Sequence, residues 1–221
     1  MSYYINLEKM TIEFFKEWLE TSNLIPSWMI LRDNIDHLKS IKKLGIDNLE
    51  QLRIILRSKS NLQEFASKSG LPEDYLTVPR RVVNGFHPKP NRIKDFPGMS
   101  QITVDILKKT GIASTLQLFE FINESSKRKQ FVKDTGLDKE EVDTLWKLTD
   151  LSRIKWVNHT FAFVLKAAGY GSSKKVANAD HEEMYYKIKD LNDERRFYPG
   201  TIGLNDMGRC VEAAQMLVLF E

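Results

Sequence analysis

Three glycines constrain this chain more than any other feature. Gly45, Gly111 and Gly169 each end a short apolar helical pattern, and each is followed by an apolar or aromatic residue, Ile46, Ile112 and Tyr170. A 66-residue shift lays Leu38 on Val104, Ile41 on Leu107, Leu52 on Leu118, Phe65 on Phe131 and Gly70 on Gly136. A further 58-residue shift lays Val104 on Ala162 and Leu107 on Leu165. Self-similarity on this scale outranks local propensity, because one supersecondary unit written three times fixes the architecture. The residue just past a helix end commonly takes a positive φ, which glycine adopts at little cost, so these glycines read as helix stops.

Helix starts follow the stops. Asn48 with Gln51 and Ser114 with Gln117 pair a capping side chain with a partner three residues on, at equivalent places. Ser172 keeps the cap, but Lys175 cannot reciprocate. Gly70 and Gly136 end further helices; Pro72 and Asp138 open the next ones, Asp138 with Glu141 as a capping box. Asp180 with Glu183 announces a long helix, and Asn205 the last one. Pro79 is expected to break or kink the helix opened at Pro72. Near the start, Leu7, Met10, Phe14 and Trp18 form one stripe with Phe15 and Leu19 beside it, a helix that docks on a core.

Glycine and proline number only 11 and 7, and no long alternating pattern interrupts the helical steps. The reading is therefore all-α, with tandem helix-hairpin-helix (SAM-like) units and a docked N-terminal helix. Its boundaries are 1–26 for that helix, 27–91, 92–152 and 153–221 for the units, with 84–92 as the loosest linker.

In such a hairpin, backbone N–H groups at the start of the second helix point outward and, with the helix dipole, suit a phosphate. Pro97-Gly98-Met99-Ser100 fits: proline stiffens the approach, Gly98 lets a backbone come close, Met99 packs inward and Ser100 caps. Arg92, Lys94 and Lys108 stand close enough in sequence to add positive charge. The equivalent positions read Lys155-Trp156-Val157-Asn158 and Leu31-Arg32-Asp33-Asn34, where Trp156 obstructs a phosphate and Asp33 repels it. "Arg-Ile-Lys" occurs at both 92–94 and 153–155, but the glycine-anchored register offsets the two by "Asp-Phe-Pro".

Other chemistry is sparse. The four histidines are scattered, and Asp180-His181-Glu182-Glu183 lie side by side on a helix, so they cannot converge on one ion. No phosphate loop, nucleophile elbow or paired-cysteine zinc site occurs, so no catalytic residue, metal site or cofactor is expected. Lone Cys210 lies in an apolar helix and reads as core, in keeping with a reducing, cytoplasmic setting. No apolar run is long enough to span a membrane. A net charge of +3 permits a phosphate-binding patch without demanding one. Its candidates include Lys89 and Lys127-Arg128-Lys129, should they share a face with the Gly98 hairpin; Trp28, Trp146, Trp156, Phe161 and Phe163 read mostly as core.

The segments "LKSIKKLGIDNLEQL", "DFPGMSQITVDILKKTGI", "TDLSRIKWV", "FVLKAAGY" and "IGLNDMGRCVEAAQML" resemble a bacterial family of unknown function built from tandem helix-hairpin-helix-like domains. The resemblance runs from about residue 8 onward and implies a fold but no activity. Relatives read Gly-Pro where this chain has Asn158-His159, so it implies no phosphate site at the third hairpin. The leading expectation is non-enzymatic, sequence-independent binding of double-stranded DNA through Arg92, Lys94, Pro97, Gly98, Met99, Ser100 and Lys108. The alternative is a protein-interaction scaffold whose hairpins are structural. No membrane partner or small-molecule substrate is expected.

Overall fold

Apolar residues at three- and four-residue steps form helices throughout residues 2–221, the part that the structure, a computed structural model, describes. Those residues contain no strand, only two isolated bridges. None of their helices is long and apolar enough to cross a membrane. Two compact units result: residues 5–87 with Phe220, and residues 2–4 with Pro88–Leu219 and Glu221. The change from one to the other falls at His87 and Pro88, inside the proline-rich 84–92 stretch.

In the first unit run α1 (Ile12–Thr21), α2 (Met29–Asp33), α3 (His37–Lys43), α4 (Leu49–Ile55), α5 (Lys59–Ser69) and α6 (Glu73–Asn84). Leu7, Met10, Phe15, Leu19, Leu31, Ile41, Leu52 and Leu76 bury its core. The first helix starts later than its apolar stripe suggests. Thr11 caps it by accepting from the Phe14 N–H at 3.0 Å, and Leu7 and Met10 are buried ahead of it in irregular chain. Pro79 does not break α6. Proline inside a helix costs about 3 kcal/mol, but Leu76, Val82 and Val83 on the same helix are fully buried, each worth roughly 1.5–3 kcal/mol. Burial outweighs the lost hydrogen bond.

The second unit contains α7 (Gln101–Lys109), α8 (Thr115–Ile122), α9 (Ser125–Thr135), α10 (Lys139–Leu151), α11 (His159–Ala167), α12 (Ser173–Ala177), α13 (His181–Arg195) and α14 (Leu204–Leu219). α8 packs on α9 and α10, α10 on α11, and α14 on α12 and α13. Ser114 and Gln117 form the full capping box, and Asn48, Ser172 and Asp180 cap as their sequence positions suggest. Two starts differ from expectation. Asp138 stands at the N-cap of α10 without a side-chain capping bond, and the Glu141 carboxylate that would complete the box accepts from the Thr103 hydroxyl instead. The last helix begins at Leu204, ahead of Asn205, with the Asp206 carboxylate accepting from the Gly203 N–H at 3.0 Å.

The glycine stops are all left-handed: φ is +82° at Gly45, +78° at Gly111 and +93° at Gly169. Beyond the first two, the chain makes the same two-bond exchange. Ile12 N–H donates to the Asp47 carbonyl and Leu49 N–H to Met10; Ile93 N–H donates to Ala113 and Thr115 N–H to Asn91, all at 2.9–3.0 Å. These bonds satisfy helix-start donors that would otherwise lack an acceptor. Beyond Gly169 a side chain takes over. Ser173 donates its N–H (2.7 Å) and its hydroxyl (2.9 Å) to one oxygen of Asp150.

The other Asp150 oxygen accepts from Arg153 Nη1 at 2.7 Å, and both residues are buried. Arg153 also donates to the carbonyls of Tyr3 and Ser2 at 3.1 Å and to the Glu221 carboxylate at 2.7 Å, with its guanidinium over the Phe119 ring. Arg153→Met should therefore destabilise the protein by about 3–5 kcal/mol, the usual cost of stranding a buried partner charge. Adding Asp150→Asn should recover part of that loss. Urea unfolding of the three proteins checks both expectations.

Candidate nucleic-acid interface

The stretch from Pro88 to Ser100 contains one 3-10 turn, Ile93–Asp95, whose buried Ile93 and Phe96 anchor it. With Ile93 anchored inward, its neighbours Arg92 and Lys94 turn outward and are exposed. Gly98 follows at φ +73°, and a Cβ added there would meet nothing within 4 Å. Ser100 then caps α7, accepting from the Thr103 N–H at 3.0 Å, while Met99 N–H donates to the Phe96 carbonyl. The N–H groups of Gly98, Ser100, Gln101 and Ile102 find no acceptor among the described residues. Four donors at this turn are thus left without a protein acceptor.

The anticipated residues divide between two hollows. Arg92, Lys94 and Lys108 line one cavity of about 650 Å³ together with Gln101, Val104 and Asp105. None of the three cations has an ion-pair partner among the described residues. Pro97, Gly98, Met99 and Ser100 line a second, smaller hollow of about 310 Å³, which Glu140 and Glu141 share with Lys166. Carboxylates there oppose an anion, so the favourable approach to α7 is from the Lys108 side. Lys127 and Arg128 do not join either hollow. They donate to the Glu120 and Ile122 carbonyls, closing the end of α8, and Arg128 also lies over the Trp146 ring.

The turn before α11 copies the Gly98 turn in backbone but not in side chain. Val157 N–H donates to Ile154 as Met99 N–H does to Phe96, and Asn158 caps by accepting from Phe161 N–H at 2.9 Å. Trp156 takes φ +70°, the left-handed conformation Gly98 has. Contrary to expectation it is not core: its side chain is half exposed, because the turn points that position outward. Lys155 in turn is buried, with its ammonium 4.9 Å from the Trp156 ring centroid, and burial pushes its pKa down to about 7. At the third equivalent place no such turn forms. Arg32 donates to the Leu19 and Ser22 carbonyls at 2.7 and 2.5 Å, holding residues 29–33 in helix.

Cys210 is buried, with its thiol pushed up to about 12 by burial, which is core behaviour. Among the described residues no three His, Cys, Asp or Glu side chains could hold a metal ion. Sequence reasoning missed Trp156 as a surface feature. The signal available was its alignment with Gly98, a position that the turn geometry holds in the open.

Residues 97–217 match the family described as a domain of unknown function (DUF4332). The match begins at Pro97, in the turn before α7, and covers more than half of the chain, less than the nearly complete resemblance expected. No curated protein and no solved structure matches the chain.

Two measurements check this geometry. Gly98→Ala should cost about 1–2 kcal/mol in chemical denaturation, from the left-handed backbone alone, since the added Cβ meets no atom. Lys155 gives a pH signature. An unfolded lysine titrates near 10.4, so from there down to about 7 the unfolded chain binds more protons than the folded one. Stability from this group therefore rises with pH across that window and is lowest below it. Lys155→Met should stabilise the protein by a few kcal/mol near pH 6, on the order expected for such a shift. The gain should fade by pH 10.

Proposed function

We propose that this chain, which belongs to the family described as a domain of unknown function (DUF4332), binds the sugar-phosphate backbone of DNA without reading its sequence and without catalysis. One observation carries the reading: Arg92, Lys94 and Lys108, each without a carboxylate partner among the described residues, surround a single cavity beside the Gly98 turn. Unpaired cations and outward N–H donors recognise phosphate oxygens, which are identical at every nucleotide. Binding of this kind positions a strand and carries no base preference. In this reading residues 92–152 and 153–221 are helix-hairpin-helix units in tandem with 27–91, as in the family that the sequence resembles.

The alternative, a protein-interaction scaffold, draws support from Ile102. It lies in the first turn of α7 and is 73% exposed, a large apolar side chain beside the same hairpin. Salt separates the two readings. A random duplex should bind at ~50 mM salt with similar affinity whatever its sequence, and weaken steeply by ~200 mM, because released counterions drive phosphate contacts. Lys94→Ala and Lys108→Ala should each lower the slope of log affinity against log salt by about 0.9, one phosphate contact apiece. Fluorescence anisotropy measures this. Absence of duplex binding at ~50 mM salt would overturn the proposal.

A further inference from the structure

Arg92 borders two cavities. Beyond the one it shares with Lys94 and Lys108 lies a second, of about 430 Å³, lined by Lys89, Arg92, Asp95, Trp156, Asn158 and His159. Three features of this second cavity belong together. It holds a half-exposed indole, Trp156, at a turn that sets it outward. It holds two cations, Lys89 and Arg92, neither paired with a carboxylate among the described residues, against one carboxylate, Asp95. Its size lies within the usual range for small-ligand sites, roughly 300–1,000 Å³.

An aromatic face with flanking cations suits a ligand that is itself aromatic and anionic. A nucleotide is both: its base stacks and its phosphate pairs. A base inside a duplex is stacked on its neighbours and cannot meet an indole, whereas an unpaired base can. We infer that the Trp156 cavity accepts an unpaired base of single-stranded nucleic acid, whose phosphate lies at Lys89 and Arg92. The inference rests on the backbone-binding reading in that Arg92 serves both cavities. The strand runs from Lys94 and Lys108 past Arg92 and places a base against Trp156. The refinement concerns ligand class: single strand, not duplex, is the form that engages the whole surface.

The packing around the turn makes a clean variant available. Trp156→Gly installs the residue that φ +70° favours, so it should keep the fold while removing the stacking surface. Trp156→Phe keeps a ring. An oligothymidylate of about 12 nucleotides, within the span such sites cover, and a random duplex of similar length are the two probes, read by anisotropy at low salt. Wild type should bind the single strand, Trp156→Gly should bind it about 5- to 150-fold more weakly, and Trp156→Phe should keep most of the affinity. Duplex affinity should not change in any of them. The part of the intrinsic fluorescence that Trp156→Phe removes should be quenched by oligothymidylate in wild type, a readout that requires no folding of the glycine variant. Equal single-strand affinity in wild type and Trp156→Gly, or duplex binding without single-strand binding, would overturn this inference and leave backbone binding standing. Failure of both probes to bind would overturn both. Single-strand binding that needs Trp156, without duplex binding, supports this inference and replaces duplex with single strand as the ligand of the surface.

Discussion

A guanidinium taken out of water has to be answered on every side, and the second unit is arranged around that demand. Arg153 is answered by Asp150, by Glu221, by the Ser2 and Tyr3 carbonyls and by the Phe119 ring. Desolvating one such ion costs several kcal/mol, so the arrangement persists only while its partners are all in place. That requirement fixes positions well beyond the arginine. Asp150 can serve Arg153 with one oxygen only because the other is occupied by Ser173, which ties the start of α12 to the end of α10. Residues 2 and 3 and residue 221 are pinned to the same point. The start of the short α12 meets the Asp150 carboxylate where the starts of α4 and α8 meet main-chain carbonyls, and the same carboxylate answers Arg153.

The turns before α7 and α11 show how one backbone serves different ends. Both place a left-handed residue before a helix capped by a side chain. Glycine makes that conformation at almost no cost, while tryptophan bears about 1–2 kcal/mol for it. Its neighbour Lys155 is buried against the ring at a cost of its own, seen in its lowered pKa. Two unfavourable choices side by side mark the turn before α11 as the place where this unit departs from what stability alone would select.

Much of the fold was legible because helix ends are local events. The glycine stops and the caps at Asn48, Ser114, Ser172 and Asp180 depend on residues within a few positions of one another, and sequence shows them directly. Pro79 was not legible in the same way. Whether a proline ends a helix depends on how much the rest of that helix buries, and Leu76, Val82 and Val83 decide it through tertiary contacts. The box at Asp138 fails for a related reason: the Glu141 carboxylate, which would complete it, is engaged by Thr103, 38 residues away. The clearest case is "Arg-Ile-Lys". At 92–94 both cations are in solvent, and at 153–155 both are buried. Identical letters carry opposite electrostatic roles, because only in the second copy do Asp150 and Glu221 converge on the arginine.

That contrast bears on the candidate interface. Some cations in this unit are already engaged, such as Arg153 with its carboxylates and Lys127 and Arg128 with the end of α8, whereas those around Arg92 stand in water. Exposed charges contribute little to stability whether paired or not. The fold therefore does not require Lys89, Arg92, Lys94 and Lys108 to be basic. Nor are the surroundings of α7 uniform, since Glu140 and Glu141 stand on the side of the Gly98 turn away from those cations. A chain with net charge of only +3 thus presents a polarised helix. Three cations and Asp105 line the Lys108 side, Glu140 and Glu141 with Lys166 line the α10 side, and Arg92 is shared between the first of these hollows and the one that holds Trp156.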